Sequence, residues 1–342
     1  MATITAAMVK QLRDRTGAGM SDCKSALTEA EGDFEKAAEI LSVKLRGKVE
    51  NRQGRIAAQG AVLTRLSADS RTGVIVEVNC QTDFVARGDG FKAFAETVAR
   101  AALESGAKDV TTLESVVVDG KTLKEIADDL TGKSGEKHAI RRVEQLTSSG
   151  LVATYVHFNS QIAVLVAVSG SGPLTEIGDE ISLQAASMKP LVLKREEITA
   201  DAVAKQRELF AAQIKAEEDD AQAELVAWQK RMQEEPENVT EAVTKHLADL
   251  EKKAKSLASR PQQAKDKILE GKVNKWFTDV VLLEQPSVKE SKKSVSQLIA
   301  GLNPAASIER FVRFEVGEGV DKGEAKDFAT EVAEMAAKAA KG

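Results

Sequence analysis

The sequence predicts an α+β fold, and three observations predict it. Runs of β-branched residues with a period of two occupy residues 56–80 and 150–168. Amphipathic helical patterns precede, separate and follow these runs. The order strand, strand, helix occurs twice, with Gly60 and Gly150 in like positions ninety residues apart, which predicts two related α+β subdomains.

The chain has 342 residues, more than one ordinary core accommodates. Hydrophobic residues make up 42% and charged residues 30%, the balance of a globular chain rather than a disordered one. Net charge is −5 with both signs spread along the chain, which argues against direct nucleic-acid binding through a basic face. Cys23 and Cys80 lie in separate segments and outside any CxxC pair, so no metal site is expected and a reducing compartment fits. No apolar run approaches the ~20 residues of a membrane span. The first nine residues carry neither a basic residue nor an apolar signal core. A cytoplasmic protein without membrane contact is expected.

Residues 1–55 read as a three-helix module with a linker. Thr5 caps the first helix, and Gly17 to Gly19 end it. Ser21 or Asp22 caps the second, with Cys23, Ala26, Leu27 and Ala30 inward, and Gly32 closes it. Asp33 caps the third, whose stripe is Phe34, Ala37, Ala38, Leu41 and Leu45. Gly47 to Gly54 is basic and polar and reads as linker.

Residues 56–146 form the first α+β subdomain. Ala61–Leu66 and Val74–Cys80 are strands around a Ser- and Asp-rich turn, and a helix follows through Phe91, Phe94, Ala95, Val98 and Leu103. Leu123–Leu130 is helical, Lys133–Lys137 is a polar loop, and His138–Val143 returns to the sheet. The second subdomain takes 147–198 and 278–318. It has strands at 150–157 and 161–168, a glycine-rich loop, a helix at 174–188, and strand character at Phe277–Leu283 and Ile308–Val316. Val295, Leu298 and Ile299 mark a helix between those last two.

Residues 199–277 are helical almost throughout, broken at Pro236 and at Arg260-Pro261. Alternating charges around a sparse apolar seam suggest an inserted antiparallel helical protrusion. Residues 319–342 hold a last amphipathic helix through Phe328, Val332, Met335 and Ala336.

The stretch of greatest interest is Asn79 to Arg87. A strand ends there and offers an acid and an aromatic, Asp83 and Phe84, on a short loop. Two readings compete. In one, Phe84 caps a core and Asp83 starts a turn or helix. In the other, the pair is presented to another molecule. The second copy carries Ser169 to Gly172 where the first has Gln81 to Phe84, so small residues suffice for the connection.

Catalytic constellations are not evident. His138, His157 and His246 lie far apart, and no HExxH or GxSxG occurs. Cys80 shares a strand face with Val74, Val76 and Val78, which points to a core thiol rather than a nucleophile. Ala127 to Ser134 fits a relaxed phosphate-loop pattern, but the preceding residues read as helix where such a loop follows a strand.

Five stretches, in order along nearly the whole chain, resemble translation elongation factor Ts. Leu12-Arg13-Asp14-Arg15-Thr16-Gly17-Ala18-Gly19-Met20 and Asp22 to Leu27 look like the N-terminal module of that family. Glu77 to Arg87 is similar to its most specific motif. Arg142-Val143 and Arg313 to Gly319 fit later signatures. The resemblance implies a UBA-like N-terminal module and a coiled-coil insertion. It also implies a non-enzymatic guanine-nucleotide exchange factor for elongation factor Tu, with no cofactor of its own. It implies that Thr82, Asp83, Phe84 and Val85 dislodge the partner's Mg²⁺, and that Leu12, Gly19, Met20, Lys24, Asn79 and His157 contact the partner. It further implies that the C-terminal helix clasps the partner's nucleotide-binding domain. The hairpin at 199–277 resembles an enlarged dimerisation region, so a homodimer is an open expectation. Two other readings stand beside this one: a helical adaptor without exchange activity, and a cysteine-dependent enzyme using Cys80.

Overall fold

A computed structural model describes residues 4–321, so the helix expected at 319–342 lies almost wholly outside the described residues. The described residues form two compact units, 4–187 with 302–321, and 188–301. The mixture of helices and antiparallel sheets is α+β, as the periodicities predict.

The first unit begins with three helices: α1 (Ala6–Thr16), α2 (Met20–Glu29) and α3 (Phe34–Gln53). The hydroxyl of Thr5 accepts the Met8 amide at 3.3 Å, and Gly17 stops α1 in the left-handed region at φ 69°. Val9, Leu12, Cys23, Ala26, Leu27, Ala37 and Leu41 close a small core of their own. Two expectations need correction. Gly19, not Ser21 or Asp22, is the N-cap of α2, and Asp22 sits in the first turn, where it still suits the helix dipole. The expected linker is helical: α3 continues to Gln53, because residues 48–53 include good helix formers and no proline.

Two three-stranded antiparallel sheets follow. β1 (Gln59–Leu66) and β2 (Thr72–Cys80) lead into a single helical turn, α4 (Asp83–Ala86), and then α5 (Asp89–Ser105). After α6 (Val110–Glu114) and a two-residue hairpin, β3 (Val117–Val118) with β4 (Lys121–Thr122), comes α7 (Leu123–Ser134). β5 (Ala139–Thr147) completes a sheet of order β1-β2-β5. The second copy is β6 (Leu151–Val156), β7 (Ile162–Ser169), α8 (Thr175–Met188) and finally β8 (Ser307–Glu315), in the order β6-β7-β8.

The sheets pack face to face. Val62, Ile75 and Leu146 of the first meet Val152, Leu165, Ala167 and Phe314 of the second. Val74, Val76, Val78 and Cys80 face the other way, against Phe91, Phe94 and Val98 of α5. Middle strand β2 is therefore buried on both faces. α7 runs four residues beyond its expected end, from a Thr122–Glu125 capping box to Gly135 at φ 75°, so the relaxed phosphate-loop pattern is helix. Leu45 of α3 crosses α7 at Gly132, where an added Cβ would lie 3.2 Å from the leucine.

The repeat is deeper than the order of elements. β2 carries an irregularity between Glu77 and Val78, and β7 carries one between Ala167 and Val168, ninety residues on. Ser70 and Ser160 are both left-handed, at φ 53° and 55°. This register sets Ser169–Gly172 opposite Asn79–Thr82, two residues earlier than the sequence comparison placed it. The turn α4 is then an addition to the first copy.

The second unit holds α9 (Ala200–Glu234), α10 (Glu241–Ala258), α11 (Gln262–Val280) and most of α12 (Val295–Leu302). Ala221 and Leu225 of α9 meet Leu250, Ala254 and Leu257 of α10. Phe277–Leu283 is not a strand. α11 continues to Val280, the guanidinium of Arg195 lies 4.3 Å from the Phe277 ring centre, and only Val281 forms a bridge, with Val192. A short apolar run does not separate helix from strand by periodicity.

Candidate functional site

The strand β2 ends at Cys80, and the base of the turn after it is held by polar contacts. Cys80 is buried, and its thiol donates to the Thr82 carbonyl oxygen at 3.2 Å. Burial pushes that thiol up to about 12, with the Glu136 charge adding to the effect. A protonated core thiol is no nucleophile.

Thr82 is the N-cap of α4. Its hydroxyl accepts the Val85 amide at 3.4 Å. The same hydroxyl donates to Glu136, at 2.9 Å from Oε1, and the Thr82 amide donates to Glu136 Oε2 at 3.0 Å. Next to it, the side-chain oxygen of Gln81 accepts the Lys137 amide at 3.1 Å. Asp83 stands in the first turn, where its charge suits the helix dipole, and pairs with Arg87 at 2.8 Å. Val85 and Ala86 pack on the core beneath. Phe84 does not: it is 81% exposed.

That figure bears on only one part of the two readings, whether Phe84 closes a core. Asp83 does begin a helical turn, but Phe84 caps no core. A phenyl ring held in water on a tethered turn gains by being buried elsewhere, about 1.5–3 kcal/mol if burial is complete.

The other sequence-selected residues are scattered. Asn79 is buried, its amide donating to the Ala57 carbonyl at 3.1 Å. Leu12 is inside the three-helix core, while Gly19, Met20 and Lys24 are exposed, the last two one turn apart on α2. His157 lies at the β6–β7 turn. Its Nδ1 is 2.9 Å from the Tyr155 hydroxyl, and its ring centre is 4.5 Å from that of Phe158, which is 90% exposed. So Thr82, Asp83, Phe84 and Val85 lie together on one turn, and the rest are placed elsewhere.

Sequence reasoning missed Glu136 and Phe158. The glycine stop at Gly135 marks the turn that carries Glu136, but nothing local says where its carboxylate goes. Phe158 had a usable signal, an aromatic beside an Asn-Ser turn. Among the described residues no cluster of three or more His, Cys, Asp or Glu could hold a metal ion, and no helix is long and apolar enough to cross a membrane.

Comparison with known proteins supplies the family. The model of the family described as Elongation factor TS matches residues 81–318, most of the chain and including the Thr82–Val85 turn. The chain belongs to the elongation factor Ts family. Elongation factor Ts of Burkholderia mallei is 37% identical over 339 residues, covering 99% of both chains. That of Burkholderia pseudomallei matches to the same extent. That of Methylococcus capsulatus is 37% identical over 332 residues, covering 96% of this chain and 97% of its own. The family match takes in β5 of the first sheet, all of the second sheet and the helical insertion between β7 and β8.

Proposed function

We propose that this protein is the guanine-nucleotide exchange factor for elongation factor Tu in translation elongation, and that α4 is the part inserted beside the partner's nucleotide. Family membership supports the exchange role. The observation that carries the role of α4 is Phe84, exposed on a turn whose base is fixed. In this reading Phe84 wedges into an apolar crevice of the partner. Asp83 competes for the polar groups around the partner's Mg²⁺, and Thr82 and Val85 set the angle. The factor favours the nucleotide-free partner, so it weakens GDP binding by the same factor by which GDP weakens its own binding. GTP then expels it. Exchange needs no nucleophile or general base in this chain.

The three-helix module, UBA-like in this reading, adds contacts through Gly19, Met20 and Lys24, and His157 adds another from the second sheet. The helical hairpin would serve as a coiled-coil self-association arm, where Leu209 and Val226 are exposed on α9. Solution mass of the intact chain and of one with a shortened hairpin tests that: equal subunit counts would exclude the hairpin as the dimer contact.

Release of fluorescent GDP from elongation factor Tu tests the central reading. Phe84→Ala is expected to slow stimulated release roughly 10–100-fold, the loss of ~1.5–3 kcal/mol of burial. Unaltered release would remove α4 from the mechanism.

A further inference from the structure

A helix of four residues does not hold itself together, because nucleation fixes several dihedrals for a single hydrogen bond. The direction in which Phe84 points is therefore set by whatever fixes the ends of α4. Phe84 contributes little packing to this, being exposed.

Two adjacent residues of one loop are tied to two adjacent residues of another. Gln81 accepts the Lys137 amide, and Thr82 is held by Glu136 through both its amide and its hydroxyl. The second loop is itself fixed. The Glu136 amide donates to the Ser134 hydroxyl at 3.1 Å, and the Glu136 carbonyl lies 2.9 Å from His138 Nδ1. Burial lowers the His138 pKa, so the neutral ring can donate that hydrogen bond. His138 is anchored in turn through its amide, which donates to the buried Thr131 hydroxyl at 2.9 Å. A chain of polar contacts thus runs from α7 to the base of α4.

We propose that Glu136 is a positioning residue for exchange: its carboxylate, bonded to the Thr82 amide and hydroxyl, aims the Asp83-Phe84 turn. This rests on the exchange reading. Glu136 need not touch the partner. It acts through Thr82, and its removal frees both the cap and the backbone entering α4. The rate at which a bound factor expels nucleotide should then fall, while affinity for the partner, spread over other contacts, should hold.

The test uses the full chain with Glu136→Ala, Glu136→Gln, Thr82→Val and the double variant Glu136→Ala/Thr82→Val. Hydrogen exchange of the free protein reads the turn directly. Amides 85–88 should exchange roughly tenfold faster in Glu136→Ala, with β2 unchanged. With elongation factor Tu carrying fluorescent GDP, the saturating release rate should fall about tenfold at a half-saturating concentration within about twofold. Glu136→Gln should recover most of the rate, because its amide oxygen accepts the Thr82 N–H and its amide nitrogen donates to the Thr82 hydroxyl. The double variant should lose less than the product of the two single losses, because both act on the same turn. An unchanged turn and rate in Glu136→Ala would overturn the proposal. So would a loss confined to the half-saturating concentration, or a double variant with multiplied losses. Failure of the unaltered chain to release GDP would overturn the exchange reading, and with it the part of Glu136 in exchange.

Discussion

Glu77 has no exposed surface on β2, and its carboxylate meets Arg142 Nε at 2.5 Å. Arg141 Nη1 adds contacts at 2.9 and 3.0 Å, and the Gly317 amide donates to the same carboxylate at 2.8 Å. One buried acid therefore ties the strand leading to the functional turn to β5 and to the segment leaving β8. Arg142 also lies over the Phe314 ring, 3.9 Å from its centre. Glu77→Ala leaves two guanidinium groups and one amide without their acceptor. The expected loss is about 3–5 kcal/mol of stability. Urea unfolding followed by circular dichroism measures it, and a loss below ~1 kcal/mol would mean that water replaces the carboxylate.

Much of this was legible in advance, and the limits have physical causes. The cap at Thr5, the glycine stops and both strand pairs follow from local patterns, because their causes are local. The period of two puts Glu77 on the strand face opposite Val74, Val76 and Val78 and says no more about it. Only pairing with β5, sixty-odd residues later, shows that it is buried and why that is tolerated. Glu136 was passed over for the same reason: its partner lies on another loop. The helical continuation of α3 was missed because its polar residues resemble a linker when the facing surface of α7 is not in view.

The internal repeat makes a paired prediction. At Gly60 an added Cβ would fall 2.1 Å from the Val78 carbonyl oxygen, and at Gly150 2.6 Å from the Val168 carbonyl oxygen. Both obstacles are backbone and cannot swing aside. Gly60 also has φ +150°, where a side chain is strained. Gly60→Ala is expected to lose roughly 3 kcal/mol and Gly150→Ala about 1–3 kcal/mol, in that order. Thermal unfolding of the two variants checks the order. A tolerated alanine at both sites would show that the strands separate more easily than their register suggests.

Cys80 carries the last prediction, through pH. Its thiol is pushed up to about 12 in the fold, chiefly by burial, against an ordinary value of 9.0. Below pH 9 folded and unfolded chains both keep the proton, so the thiol adds no pH dependence. Between pH 9 and about 12 the unfolded chain releases it and the folded chain does not. The folded state then binds more protons, and stability falls with rising pH by at most ~1.4 kcal/mol per unit. Cys80→Ala lacks this titration, although it loses some packing at every pH. The stability gap between the two chains should therefore narrow by about 2 kcal/mol between pH 7.5 and 10.5. Urea unfolding at a series of pH values provides the measurement. A gap independent of pH would mean that the folded thiol ionises as readily as a free one. In that case alkylation of the native protein at pH 9 would also modify Cys80, whereas the buried thiol should react only on unfolding.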